Sequence, residues 1–187
     1  MENKIKKLKT QLLELLKKEA FRKGDFVLSS GKKSQFYIDG RCITLAAEGA
    51  YLAASIILEL FKAEDIEAIG GPTLGADPIA GAVAALSFIN NKPVKAFIIR
   101  KTPKGHGTRR QIEGPSLMAG SRLILVDDVA TSGKSFIESL DILRAEGFNV
   151  DTAICIVDRK EGAKAALAEK NCKLISIFTP EDFGIKV

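Results

Sequence analysis

The sequence predicts an α/β fold with a central, mostly parallel sheet flanked by helices. From about residue 46 onward, short runs of valine, isoleucine and leucine alternate with helical patterns. This is the order expected of parallel strands joined by crossover helices. The chain has 187 residues, 46% of them hydrophobic and 27% charged, which suits one globular domain with a substantial core. We therefore expect residues 1–187 to form a single domain, with a core over about 46–187.

The first 45 residues predict a helix and a small hood. Five apolar residues at helical spacing indicate an amphipathic helix over residues 5–18, with lysines on its outer face. The segment FVLSSGKKSQFYIDGR, residues 26–41, then predicts a strand, a turn at Ser30-Gly31 and a second strand.

The rest of the chain predicts alternating helices and strands. Helices are expected over residues 48–62, 77–88, 135–146 and 162–170, and strands over 66–71, 94–100, 121–129, 151–159 and 172–179. Gly147 follows the third of these helices, at the position where glycine commonly ends a helix. Residues 101–120 contain too few apolar side chains to pack, which predicts a long functional loop.

Composition limits the classes of function. The basic N-terminus is not followed by the apolar core of a signal peptide, and residues 78–90 are too short to span a bilayer. Cys42, Cys155 and Cys172 are widely spaced, without a CxxC pair or a nearby histidine. We therefore expect a cytoplasmic protein with reduced, metal-free cysteines and no membrane partner. The net charge of +5 is compatible with ligands that carry phosphate, with nucleic acid, or with no particular partner.

The motif LILVDDVATSGKSF, residues 123–136, places two carboxylates where a buried strand ends and a helix begins. It is not a Walker A loop, because Asp128 occupies the position of the first glycine. The small residues that follow still favour an anion, because backbone N–H groups at a helix start point at it. Asp127 and Asp128 would then accept hydroxyl groups or share a divalent cation. A phosphorylated sugar with Mg²⁺ fits; the alternative, a helix-capping aspartate, explains only one of the two.

This motif closely resembles the phosphoribosyl pyrophosphate (PRPP) binding motif of type I phosphoribosyltransferases. The resemblance implies the fold of that family, with an N-terminal hood and a long flexible lid over about residues 101–120. It implies that Asp127 and Asp128 hold the ribose hydroxyls while the following loop holds the 5′-phosphate. The implied PRPP-binding residues in the motif are Asp127, Asp128, Val129, Ala130, Thr131, Ser132, Gly133, Lys134 and Ser135. Mg²⁺ is the implied cofactor, held mainly by PRPP, with Asp127 and Asp128 acting through water.

The segment 99–114 concentrates cations in a loop with glycines at 105 and 107. Cations crowded in this way repel one another unless an anion binds among them, and pyrophosphate released in a reaction would be such an anion. A solvated basic loop that touches nucleic acid is the alternative, although no aromatic side chains lie between the cations to stack on bases. The arrangement RK-x-x-K-x-HG resembles the catalytic lid of orotate phosphoribosyltransferases. The resemblance implies that Arg100, Lys104 and His106 reach PRPP across the interface of a homodimer, with Lys101 also on its phosphates.

Three further segments bear on the substrates. GGPTLGADPIAG resembles the pyrophosphate loop of the family, which implies that role for Gly71, Pro72, Thr73, Leu74 and Gly75. SSGKKSQFY resembles the family's S-G-x-x-S-x-x-Y signature near the pyrimidine, with Ser29 where many members carry lysine. Arg159 ends a predicted strand and suits a planar carboxylate. The family resemblance assigns the orotate carboxylate to Arg159 and a second orotate contact to Thr131; an Asp158–Arg159 surface pair is the alternative.

Together these motifs imply transfer of the phosphoribosyl group from PRPP to orotate, with release of pyrophosphate, in pyrimidine synthesis. The implied catalytic residues are Lys104, His106, Asp127 and Asp128, with Lys104 stabilising the leaving group. Two alternatives remain at this point: a phosphoribosyltransferase for another base, or a PRPP-sensing regulator without catalysis. A single helix before the hood is too little for a helix-turn-helix module, so we expect no nucleic-acid partner. The residues leave the role of Lys134 open.

Overall fold

A computed structural model describes residues 2–27, 33–102 and 111–186 of the chain. The helices are α1 Glu2–Leu15, α2 Arg41–Thr44, α3 Ala47–Leu60, α4 Ala76–Ile89, α5 Lys134–Ala145 and α6 Ala163–Glu169. The strands are β1 Phe21–Val27, β2 Lys33–Ile38, β3 Ala68–Pro72, β4 Lys95–Ile99, β5 Ile112–Glu113, β6 Arg122–Ala130, β7 Asn149–Asp158 and β8 Lys173–Phe178. A π-helical turn, Leu16–Ala20, extends α1, and a 3₁₀ turn, Pro180–Phe183, follows β8.

The central sheet has six strands in the order β5-β4-β3-β6-β7-β8. Every neighbouring pair is parallel except β4 and β5, which are antiparallel. The prediction of a mostly parallel sheet is therefore confirmed. Because parallel strands end at the same edge, the loops after β3, β6 and β7 meet at one side of the molecule.

The strands are apolar throughout because helices cover both faces of the sheet. In β6, Ile124 and Val126 belong to the buried cluster that includes α1, α3 and α4. Leu123 and Leu125 point the other way, into the cluster formed with α5 and α6. All four side chains are fully buried. Each layer of helices thus fixes one face of the strand that ends in the acidic pair.

The hood is the antiparallel hairpin of β1 and β2. Its first residue, Phe21, stacks on Phe183 of the 3₁₀ turn with ring centroids 5.1 Å apart. The backbone N–H of Asp39 donates to the carbonyl of Ala20 at 3.2 Å, which closes the base of the hairpin. The hood is therefore tied to the end of the chain, beside the C-terminal edge of β8.

Several details differ from the sequence-based expectations. β1 begins at Phe21, five residues before the predicted start, and the four-residue helix α2 has no side-chain cap that could have announced it. The predicted loop at 101–120 contains β5, because Ile112 and Glu113 pair with the edge of β4. Residues 28–32, with the expected Ser30-Gly31 turn, and the stretch 103–110 of the lid lie outside the described residues. Among the residues that are described, no helix is long and apolar enough to cross a membrane.

Candidate active site

The acidic pair lies near the C-terminal end of β6, where Asp127 is opposite Cys155 of β7. One oxygen of each carboxylate is held by the backbone. Oδ1 of Asp127 accepts a hydrogen bond from the N–H of Asp128 at 3.0 Å, and Oδ1 of Asp128 accepts one from the N–H of Val129 at 2.8 Å. These bonds fix the direction of both side chains at the ligand edge of the sheet.

Burial makes these two carboxylates hard to ionise. It raises the pKa of Asp127 well above the usual range, and the adjacent charge of Asp128 raises it further, while Lys101 acts in the opposite direction. Burial also raises the pKa of Asp128, against the opposing effects of the Val129 N–H and the charge of Arg41. Two partly desolvated carboxylates therefore gain from hydroxyl donors or a cation.

Two glycines allow the backbone to approach the pair closely. A Cβ atom at Gly75 would lie 2.0 Å from Oδ1 of Asp127 and 2.6 Å from Oδ1 of Asp128. A Cβ atom at Gly40 would lie 2.6 Å from Oδ2 of Asp128. The carboxylates thus occupy a slot between the loop after β3 and the turn that starts α2. Any larger side chain at either glycine would displace them.

The predicted phosphate loop joins β6 to α5. Gly133 has a left-handed backbone, φ 82°, and directly precedes the first residue of α5. The carbonyl of Thr131 accepts a hydrogen bond from the N–H of Ala163 at 3.0 Å, which fastens the loop to α6. The side chain of Lys134 is 81% exposed and pairs with Glu138 at 3.8 Å. In this structure Lys134 therefore faces solvent.

The predicted pyrophosphate loop, Gly71 to Gly75, lies beside the acidic pair. The N–H of Thr73 donates to the carbonyl of Ile99 at 3.1 Å, and the Thr73 hydroxyl donates to Oδ2 of Asp77 at 2.6 Å. The Thr73–Leu74 peptide bond is cis. The first hydrogen bond joins the loop to the end of β4, and the second joins it to the first turn of α4.

The described part of the lid begins at Arg100 and Lys101. The backbone N–H of Arg100 donates to the carbonyl of Gln111 at 2.9 Å, and its guanidinium lies 3.7 Å from the carboxylate of Glu113. The start of the lid is therefore held against its later part, at Gln111 and Glu113, next to the pyrophosphate loop. Lys104 and His106, assigned to catalysis from the sequence, lie outside the described residues.

Arg159 is buried, with only 4% of its surface exposed. Its Nε donates to Glu161 at 2.7 Å, its Nη2 donates to the Ser34 hydroxyl at 3.0 Å, and its Cζ lies 4.3 Å from the ring centroid of Phe36. The alternative of an Asp158–Arg159 surface pair is wrong, because Glu161 is the partner of the buried guanidinium. Oδ1 of Asp158 instead accepts the N–H of Lys160 at 2.9 Å.

The two predicted substrate regions meet at one backbone contact. The N–H of Arg159 donates to the carbonyl of Ala130 at 2.9 Å, so the carboxylate-binding candidate adjoins the start of the phosphate loop. Sequence reasoning did not assign roles to five residues near these groups: Ser34, Phe36, Gly40, Arg41 and Glu161. Of these, only Ser34 occupies a defined position of the S-G-x-x-S-x-x-Y signature; the fold brings the others to the site.

Comparison with known proteins gives a consistent family. A family model described as a phosphoribosyl transferase domain matches residues 43–187. The orotate phosphoribosyltransferase of a Nostoc species is 43% identical over 95% of this chain and 86% of its own length. That of Aquifex aeolicus is 42% identical over 90% of this chain and 93% of its own.

Solved structures agree. Mycobacterium tuberculosis orotate phosphoribosyltransferase, in complex with Fe(III) dicitrate, superposes with a TM-score of 0.83 at 32% identity, covering 95% of this chain and 99% of that one. The same enzyme in complex with PRPP gives a TM-score of 0.78 at 30% identity over the same shares. The orotate phosphoribosyltransferase of Aeropyrum pernix gives 0.75 at 38% identity, covering 91% of this chain and 94% of that one.

Proposed function

This chain belongs to the orotate phosphoribosyltransferase family of phosphoribosyltransferases, and from that premise we propose its reaction. It transfers the 5-phosphoribosyl group of PRPP to orotate, giving orotidine 5′-monophosphate and pyrophosphate, in the synthesis of UMP. The observation that carries the proposal is the bond between the N–H of Arg159 and the carbonyl of Ala130. This bond holds Arg159, the candidate ligand of a substrate carboxylate, next to the start of the candidate phosphate-binding loop. A reaction between a carboxylated base and a phosphorylated sugar requires these two binding groups to be adjacent.

The proposed roles follow from the chemistry of each group. Asp127 and Asp128 accept hydrogen bonds from the ribose hydroxyls, since ionised carboxylates are acceptors only. The backbone N–H groups of the loop from Thr131 to Ser135 bind the 5′-phosphate at the start of α5. A ring nitrogen of orotate forms the bond to the ribose carbon as the carbon–oxygen bond to pyrophosphate breaks. The protein supplies no nucleophile, so its contribution is alignment and charge stabilisation.

Lys104 is the residue that we assign to the departing pyrophosphate, with His106, Arg100 and Lys101 beside it. The assignment comes from the lid motif. One contact among the described residues supports it: the N–H of Thr73, in the pyrophosphate loop, donates to the carbonyl of Ile99. Ile99 lies just before the start of the lid, so the base of the lid is next to the pyrophosphate loop. Charge developing on the leaving group would therefore be close to the base of the lid.

We propose that the reaction depends on Mg²⁺. The donor set fits a cation that is brought by its ligand, because the acidic pair is partly desolvated and both pKa values are raised. The described residues contain no group of three or more histidine, cysteine, aspartate or glutamate side chains that could hold a metal by themselves. PRPP oxygens would complete the coordination, with Asp127 and Asp128 acting through water. When bound, Mg²⁺ would neutralise charge on the pyrophosphate.

A homodimer is proposed from the lid motif, and one surface supports it. Leu45 and Leu74 are 74% and 66% exposed, and together with Pro78 they line an open groove. Leu74 directly precedes Gly75, and the same groove includes Asp39 and Arg41, which flank Gly40. A second copy on this groove would therefore lie at the rim of the acidic pair, from which Arg100, Lys104 and His106 could cross. Leu45→Glu should lower the dimer fraction in sedimentation, whereas Phe88→Glu, an exposed change elsewhere, should not.

A cytoplasmic location is proposed as well. Its support is that Cys42, Cys155 and Cys172 are all free, as is usual in a reducing compartment.

The test of function follows orotate by absorbance in the presence of PRPP and Mg²⁺, with parallel reactions that offer uracil, hypoxanthine or adenine. We expect turnover of orotate alone, abolished by chelating the metal and restored by excess Mg²⁺. Turnover of a neutral base in place of orotate would overturn the substrate assignment. PRPP binding without turnover of any base would favour a regulator instead.

A further inference from the structure

Groups of the protein itself hold Arg159 on three sides. Glu161 accepts from Nε at 2.7 Å, Ser34 accepts from Nη2 at 3.0 Å, and the Phe36 ring covers the guanidinium face at 4.3 Å. The side chains of Arg159 and Glu161 are only 3% and 23% exposed, so their ion pair is largely removed from water. Such a pair is strong enough to fix a guanidinium in one orientation.

The Ser34 hydroxyl is set to act as an acceptor toward Arg159. Its single hydrogen is donated to the carbonyl of Phe36 at 2.8 Å. Its lone pairs are then available to the N–H of Phe36 at 3.3 Å and to Nη2 of Arg159 at 3.0 Å. Hence one edge of the guanidinium, formed by Nε and Nη2, is already used. Within the described residues, Nη1 makes no hydrogen bond.

The turn after β7 places Arg159 and Glu161 side by side. Lys160, between them, has a left-handed backbone with φ 58°, and its N–H donates to Oδ1 of Asp158 at 2.9 Å. The N–H of Arg159 is held by the carbonyl of Ala130. The backbone therefore turns tightly between the two side chains, while its start is fixed to the phosphate loop.

We propose that Glu161 is a positioning residue that sets the selectivity of the base site for a carboxylate. By occupying Nε, it turns the other edge of Arg159, formed by Nη1 and the second hydrogen of Nη2, toward the base. That edge matches a planar carboxylate in bidentate geometry. One guanidinium then bridges two carboxylates, one from the protein and one from the substrate. This inference rests on the proposed function, because it requires a base that carries a carboxylate.

The test compares the Michaelis constants for the two substrates in Glu161→Ala and Glu161→Gln. Groups that orient a metal ligand typically contribute on the order of 10- to 100-fold, and we take the same scale for a group that orients Arg159. Glu161→Ala should raise the KM for orotate by about that factor and change the KM for PRPP less than about threefold. Glu161→Gln keeps an oxygen that accepts from Nε and should restore part of the loss. Because KM does not depend on the fraction of enzyme that is folded, a merely structural role would not produce this split.

Glu181→Gln is the matched control. Glu181 is exposed and pairs with Lys160, whereas the side-chain partners of Arg159 are Glu161 and Ser34. Glu181→Gln removes one carboxylate charge near the site, as Glu161→Gln does. Both KM values should nevertheless stay within about twofold of wild type, as for surface changes in general.

The outcomes separate the inference from the proposed function. If wild type consumes orotate but Glu161→Ala raises both KM values equally, or neither, the positioning role is overturned and the function stands. A lower KM for orotate in Glu161→Ala would also overturn it, by showing that Glu161 competes with the substrate. If wild type consumes only a neutral base, the function and the inference both fail.

Discussion

Gly75→Ala is expected to displace the carboxylates of the acidic pair without straining the backbone. Gly75 has φ −64° and ψ −39°, a helical conformation that alanine adopts readily. What alanine lacks is space: its Cβ would lie 2.0 Å from Oδ1 of Asp127 and 2.6 Å from Oδ1 of Asp128. The substitution therefore tests the position of the carboxylates rather than the need for a glycine conformation.

The size of the effect follows from these distances. Relieving the overlap to about 3–3.5 Å moves the Asp127 carboxylate by roughly 1 Å or more. Both oxygens involved accept backbone N–H groups, from Asp128 and Val129, so the shift weakens two hydrogen bonds. A misplacement of about 1 Å costs on the order of 10² in rate. We expect kcat/KM for PRPP to fall by about that factor, with a loss in unfolding free energy of about 1–3 kcal/mol from the weakened bonds.

The assay is initial-rate kinetics with PRPP varied at saturating orotate, beside thermal unfolding. Gly81→Ala, in the helix that begins directly after Gly75, is the control, because a Cβ atom there meets nothing within 4 Å. It should keep wild-type kinetics and gain about 0.5–1 kcal/mol from helix propensity. Activity of Gly75→Ala within about threefold of wild type would refute the reasoning, since the carboxylates would then tolerate displacement.

Three further predictions concern ionisation, the lid and the thiols. Asp127→Asn should abolish most activity yet raise Tm at pH 8. The pKa of Asp127 in the folded protein is raised above 3.8, so its carboxyl group favours folding at low pH. It opposes folding as the pH rises through that folded pKa, and asparagine removes this opposition. The gain should vanish near pH 4, and a Tm difference independent of pH would contradict the assignment. Lys104→Ala should lower kcat on the order of 10²–10³-fold, and a loss under threefold would exclude leaving-group stabilisation. At pH 8 an aromatic disulfide reagent should label Cys155 and Cys172 only after unfolding, because burial raises the pKa of Cys155 well above its usual range and that of Cys172 to about 11. Labelling of either thiol in the native protein would contradict their burial.

The sequence predicts one half of the candidate site better than the other for a physical reason. Asp127, Asp128 and the loop that follows are contiguous, so strand, carboxylates and helix start appear in one readable motif. The surroundings of Arg159 come from segments far apart: Ser34 lies 125 residues away in the hood. No local pattern links them, and only the packing of the hairpin on the end of β7 brings them together.

The sequence does not predict the short strand β5 or the close approach of Gly75 and Gly40 to the carboxylates, for related reasons. β5 has two residues, too few to show an alternating pattern, and it exists because the edge of β4 offers backbone partners. Gly75 and Gly40 have helical backbones, so nothing in their conformation marks them. Their importance is a distance to carboxylates that only the folded chain defines.

Substitutions at the acidic pair and at Glu161 should both impair function, but they should change the stability of the protein in opposite directions. The acidic pair is held at an electrostatic cost, because burial and the adjacent charge of Asp128 raise the pKa of Asp127 despite the opposing charge of Lys101. Removing one of those charges should stabilise the free protein and destroy function. The guanidinium of Arg159 is already paired with Glu161, so removing Glu161 leaves a buried charge with fewer partners. Glu161→Ala should therefore lower both Tm and orotate affinity, whereas Asp127→Asn should raise one and lower the other. The acidic pair thus carries an electrostatic cost in the folded chain, whereas the guanidinium of Arg159 is compensated by Glu161.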